Sequence, residues 1–186
     1  MSCRLIQNIK HTCEYNSGGI KAIYLLDIRD FVSYRFRNDK LYDECLVEDI
    51  KKTSGKFTML DAVQESSFTE SEENGLYRQQ LTTFVRGMDS SKTANLILAN
   101  INKYVVIFRT YQGKSYTFGS DGGASLNFTQ QSGTLGEVSG YNITIAKNSI
   151  YPLFEADFEN IFQIKLLGTE RLIVVVTENG KALLIK

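Results

Sequence analysis

The stretch from Phe68 to Phe84, FTESEENGLYRQQLTTF, constrains the fold more than any other part of the chain. Asn74-Gly75 joins two long strand-like runs there. A two-residue Asn-Gly loop suits a type I′ turn, because both central residues need φ > 0 and that twist matches the flanking strands. The sides of the expected β-hairpin are Thr, Ser, Gln, Glu and Arg. A hairpin this long and this polar adds little to a private core, so its contacts are expected to be water, another copy of itself or a charged partner.

Strand signals dominate elsewhere. Gly18-Gly19 precedes IKAIYLLDI at Ile20 to Ile28, whose continuous apolar character fits a strand buried on both faces. Arg29 to Ser54 has no clean period and reads as an excursion from the core or a loose hairpin that orders between neighbouring copies. Lys56 to Ala62 and Gln64 to Glu73 look like strands, with a return strand to about Val85. One helix is expected, capped by Asp89, Ser90 or Ser91 and ending near Lys103. Its apolar stripe of Ala94, Ile97, Leu98 and Ile101 is expected to lie against a sheet. Tyr104 to Arg109 reads as a buried strand, and Ser115 to Phe118 as one alternating Tyr116 and Phe118 against Ser115 and Thr117. Gly119 to Gly123 turns the chain. Ala124 to Ser139 is rich in Ser, Thr, Gln and Gly and is either an exposed strand with a loop or a segment that orders against a neighbour. Tyr141, Ile143 and Ile145 mark a half-buried strand. Pro152 marks a boundary, beyond which Ile161 to Leu167, Leu172 to Thr177 and Ala182 to Ile185 read as a β-meander, its last hairpin turned by Asn179-Gly180.

Composition excludes several classes. The 186 residues, 42% of them hydrophobic, suffice for one domain with a full core, roughly 100 to 200 residues being usual. Twenty-one basic residues balance twenty-one acidic ones, so no overall field recruits nucleic acid or an anionic membrane. No apolar run approaches the roughly 18 residues of a membrane span, and Met-Ser-Cys-Arg leads into no signal-peptide core, so a cytoplasm is the expected site of synthesis. Cys3, Cys13 and Cys45 cannot all pair within the chain. Cys3, His11 and Cys13 lack the second close pair that a zinc site needs, so no metal is expected.

Catalytic signals are sparse. His11 is the only histidine and has no nucleophile-elbow context around it. The pairs Gly18-Gly19 and Gly122-Gly123 fit neither phosphate-binding fingerprint, so no cofactor is expected. Carboxylates are plentiful, but without Trp platforms they read as acidic faces rather than a glycan hydrolase, and no enzymatic activity is expected. Arg29, Arg35, Arg37, Lys40, Lys51 and Lys52 interleave with Phe31, Tyr34, Phe36 and Tyr42 as in single-strand binders. Asp30, Asp39, Asp43 and Glu44 dilute that stretch, which favours a subunit interface.

The order of Cys13, GGIKAIYLLDI, the ENG hairpin, the helix, YQGKSYTFGSDGGASL at Tyr111 to Leu126 and SGTLGEVSGYNITI at Ser132 to Ile145 resembles the tail tube proteins of tailed bacteriophages and prophages of Bacteroidetes. The likeness runs from about Cys3 to Ile145. It implies a mainly β fold, an antiparallel β-sandwich or partly open barrel with one flanking α-helix. It also implies a ring of six copies whose inward hairpins close a barrel around a DNA channel. Partners would be further copies of the chain and neighbouring tail, hub or neck rings, within a virion tail, with DNA only in passage and no membrane. Under that resemblance residues 1–150 form the tail-tube-like domain and residues 151–186 a C-terminal extension that the simplest tube subunits lack, so a tube and a single hub or neck ring both stay open. Asp43, Glu44, Glu48, Asp49, Glu70, Glu72 and Glu73 are candidates for the channel or an inter-ring contact, since acidic and neutral side chains avoid holding phosphate. The alternative is a monomeric β-barrel or sandwich that binds a small apolar ligand.

Overall fold

The computed structural model describes residues 18–37, 45–61, 66–134 and 138–162, together with the backbone of three strands between 167 and 185. Eleven strands form one large, mostly antiparallel sheet. Its centre is β1 (Ile20–Asp27) paired antiparallel with β7 (Lys103–Thr110), from Ile20 opposite Thr110 to Asp27 opposite Tyr104. Both strands are buried on both faces, as their continuous apolar sequences predict. Ile23, Leu25, Val106 and Phe108 enter one core, while Leu26, Val105 and Ile107 enter a second on the opposite face.

From the free edge of β7 the sheet continues in two directions. The first path runs through β8 (Ser115–Phe118), β11 (Phe154–Ala156) and β3 (Leu46–Lys52) to β2 (Phe31–Phe36), while β4 (Thr58–Leu60) flanks β1. The second runs through β9 (Ala124–Gln131), β10 (Gly140–Ser149) and β6 (Leu76–Arg86) to β5 (Ser67–Glu73). β8 and β9 meet β7 at its two ends, at Val106 to Arg109 and at Lys103 and Tyr104 respectively. The chain bends between them at Gly119, whose φ is +91° and whose absent Cβ would lie 2.7 Å from the Tyr104 carbonyl oxygen. The bend lets Leu126, Ile143, Ile145 and Leu81 share the first core with Ile23 and Phe108.

Several expectations need correction. The mainly β fold with a flanking helix forms, but where a sandwich or partly open barrel was expected there is one open sheet, its two paths ending at β2 and β5. The sheet is mixed, because β11 runs parallel to β3, with Glu155 opposite Leu46 and Ala156 opposite Val47. No local pattern announces a pairing between segments so far apart in the chain. Residues 151–162, read from sequence as the start of an extension, contribute β11 and the short α2 (Phe158–Ile161), and Phe154, Ala156 and Ile161 are buried in the second core. The meander itself is a separate three-stranded antiparallel sheet of β12 (Leu167–Thr169), β13 (Leu172–Val176) and β14 (Ala182–Ile185). Its Asn179-Gly180 turn lies outside the described residues, as do Cys3, His11 and Cys13. In β8 the polar residues are buried with the aromatic ones: Thr117 is enclosed, and its hydroxyl lies 2.8 Å from that of Tyr34.

The helix α1 (Ser90–Ile101) forms where expected, with Asp89 as its cap, but is rotated the other way. Leu96 and Ala99 face the first core, and Ile97, Leu98 and Ile101 are 50%, 61% and 74% exposed. The N-terminal bonds set this rotation. The buried Tyr141 hydroxyl lies 2.7 Å from Thr93 Oγ1 and donates to the Asp89 carbonyl at 3.1 Å. Lys92 Nζ reaches back to the carbonyls of Arg86 and Gly87 at 3.2 and 3.1 Å. With Lys92 and Thr93 held on the protein side, the residues on that face one and two turns later are Leu96 and Ala99.

Candidate functional site

The surface with the most distinctive chemistry is the outward face of β9, β10, β6 and β5. Register defines it. Leu126, Ile143, Ile145 and Leu81 point into the core, so their neighbours along each strand point out. The outward set includes Ser125, Asn127, Thr129 and Gln131 on β9, Asn142, Thr144 and Asn148 on β10, Gln80 and Thr82 on β6, and Ser67, Thr69 and Ser71 on β5. Cross-strand bonds tie parts of it: Asn142 Nδ2 donates to Gln131 Oε1 at 2.8 Å, and the hydroxyls of Ser67 and Thr82 are 2.9 Å apart. The charged residues of this outward set are Glu73, Arg78 and Arg86. Glu73 and Arg78 pair with each other at 2.8 Å, leaving the face close to neutral.

The hairpin at one end of this face has the predicted turn. Asn74 and Gly75 have φ of 55° and 79°, and Glu72 Oε1 accepts from the Gly75 N–H at 2.7 Å. Its base is anchored, with Phe68 stacked on Phe108 at 4.9 Å between ring centroids. Glu70 Oε2 accepts from Gln79 Nε2 at 2.8 Å and from the Leu153 N–H at 2.8 Å, and Gln79 Nε2 also donates to the Tyr151 carbonyl. Gln79 is 2% exposed, so this cluster fastens the hairpin to the segment leading into β11. Among the described residues no strand lies beyond the outer edge of β5. At the opposite end α1 packs against β9, where Asn100 Nδ2 donates to Asn127 Oδ1 at 3.3 Å.

The seven acidic candidates do not converge. Asp43 and Glu44 lie outside the described residues. Glu48 and Asp49 are on β3, on the other path of the sheet, where Glu48 sits 3.4 Å from Arg35 and Asp49 Oδ1 accepts from the Ile50 N–H at 2.8 Å. Glu70 and Glu72 share the face of Phe68 and make the anchoring and turn contacts above, while Glu73 is on the outward face beside Arg78. Sequence reasoning weighted charge and missed the neutral outward set. The signal present was the alternation in ASLNFTQQ and YNITI, but only the pairing of four strands assembles it into a surface.

A second feature is a cavity of about 210 Å³ lined by Phe31, Ser33, Tyr34, Phe36, Ser120, Tyr151 and Phe154. Its walls are aromatic edges, with Phe36 and Phe154 centroids 5.1 Å apart and Phe31 and Tyr34 also 5.1 Å apart. Burial pushes the Tyr34 phenol above its ordinary value, opposed by hydrogen bonds with Thr117 and Ser120. Among the described residues no group of three or more His, Cys, Asp or Glu side chains could hold a metal ion, and no helix is long and apolar enough to cross a membrane. Comparison with protein-family models, with curated proteins and with solved structures returns no match.

Proposed function

We propose that the protein is a structural subunit of a tailed-bacteriophage virion, one copy in a cyclic ring of the tail-tube type, with no catalytic role. The observation that carries this reading is the near-neutral, hydroxyl- and amide-rich outward face of β9, β10, β6 and β5, bounded by the open edge of β5. An unpaired edge on a long polar hairpin is an aggregation liability unless another strand completes it. A ring that joins the sheets of successive copies satisfies those backbone groups and makes the outward faces the lining of a channel. Such a lining passes DNA without holding it, because affinity for the duplex comes from cations placed on phosphates and this face has few. The packing of both paths of the open sheet around the first core is compatible with the tail-tube type, and in this reading the β12–β14 meander is the added element that would meet a neighbouring ring. The resemblance in sequence supplies the copy number of six and the virion as location.

Negative-stain microscopy over a rising concentration series tests the reading. Rings or stacked tubes with an open centre of at least about 20 Å, enough for duplex DNA, are expected, and stacking separates a tube subunit from a single-ring hub or neck protein. Monomers at every concentration would refute it. The aromatic cavity favours a second reading, a monomeric carrier of a small apolar ligand. At about 210 Å³ the cavity is smaller than the roughly 300–1,000 Å³ of typical ligand sites, which places this reading behind the first.

A further inference from the structure

The exposed face of α1 is apolar and has no use in the channel lining. Ala94, Ile97, Leu98 and Ile101 sit roughly half a helical turn away from Leu96 and Ala99. No Asp, Glu, Lys or Arg occurs between Thr93 and Asn102. The helix's single charged residue, Lys92, is drawn back onto Asp89 and the carbonyls of Arg86 and Gly87. Helix faces that stay in water are polar or charged, with the apolar stripe turned to the core. Here the stripe faces away from the core.

We propose that this stripe is the docking surface for a second copy of the chain, which arrives with its β5–β6 hairpin; the inference rests on the ring reading above. Placement selects the occupant. α1 lies on β9, and β9 and β5 are the two ends of the four-strand set. A head-to-tail ring built on that set brings the β5 edge of one copy to the β9 side of the next, beside α1. Polarity narrows the choice as well: a stripe without cations offers nothing to nucleic acid, and the hairpin brings an apolar side chain to it in Leu76, which is 44% exposed beside the turn. Area makes the contact a joint one. Four side chains cover less than the roughly 800 Å² per partner of a stable interface, so the stripe adds to strand pairing at β5 and does not replace it.

The test uses the full chain with a benzophenone amino acid in place of Leu98, mixed from unlabelled and isotope-labelled preparations and irradiated. Cross-links of mixed isotope composition to residues 67–86 of another copy are expected. In parallel, L98E/I101E is expected to keep the melting temperature of the parent and to raise the concentration for half-assembly by at least about tenfold. Rings forming from L98E/I101E at the parent concentration would overturn the inference and leave the ring reading standing. So would links confined to one chain, for instance to residues 1–17 or 163–186. A parent protein that stays monomeric and gives no mixed links would overturn both.

Discussion

At the scale of single residues, the polar groups that matter most hold elements together. Tyr141 is fully enclosed, yet its hydroxyl serves the start of α1, accepting from the Asp89 N–H at 3.2 Å and bonding Thr93. Tyr141→Phe is expected to lower the unfolding free energy by about 1–2 kcal/mol in a urea titration, since partners around the lost hydroxyl go unpaired. Asp89 caps the same helix. The Lys92 backbone N–H, followed by the Ser91 hydroxyl, lowers its pKa from 3.8 to about 2. A depressed carboxylate pKa stabilises the fold fully above the ordinary value and loses that contribution as pH falls toward the folded one. The Asp89 contribution therefore fades between about pH 4 and pH 2. Asp89→Asn keeps a capping oxygen but does not titrate, so its acid-melting profile by circular dichroism is expected to be flatter than the parent's in that window. Glu70 makes a similar point about inference from charge. Glu70→Ala removes the acceptor of the Leu153 N–H and leaves the buried Gln79 Nε2 with the Tyr151 carbonyl alone, and is expected to cost about 1–3 kcal/mol, whereas an acidic group whose role was only to face a channel would cost almost nothing.

At the scale of elements, two glycine turns with positive φ differ in what they permit. Gly75 turns the hairpin tip in open space, so Gly75→Ala meets only the backbone penalty, about 1 kcal/mol. Gly119 turns β8 into β9 against β7, where a Cβ would meet the Tyr104 carbonyl and the Ala124 N at 2.7 and 3.2 Å. Gly119→Ala is expected to cost more, about 2–3 kcal/mol or beyond, because strain and contact add. Equal melting shifts for the two variants would show that the bend is not the tight point described. The difference matters for function, since the Gly119 bend carries the chain from the first path of the sheet to the second, whose outward face is the proposed lining.

At the scale of the whole molecule, three surfaces stand out among the described residues: a near-neutral polar face, an uncharged apolar stripe on α1 and the open edge of β5. The face is near neutral and the stripe carries no charge. Assembly through these surfaces is expected to persist in 1 M salt, roughly the range in which contacts resting on exposed ion pairs weaken, and sedimentation velocity at low and high salt checks it. For the same reason, purified rings are expected to leave the mobility of linear duplex DNA unchanged in a gel at low salt. Clear retardation there would contradict a lining that passes DNA freely.

The sequence by itself determined the local structure. Asn74-Gly75 specified its turn through the φ > 0 that both residues tolerate, Asp89 specified the helix start, and IKAIYLLD specified a strand buried on both sides. It also showed the α1 stripe, but not which way the stripe faces, because rotation about the helix axis is set by Tyr141, 48 residues away from Thr93. The parallel pairing of β11 with β3, the burial of Thr117 under Tyr34, and the gathering of Ser, Thr, Asn and Gln into one face depend likewise on register between distant strands. Periodicity states which residues share a side of an element. Only the packing of one element on another decides whether that side is core, solvent or the seat of a neighbour.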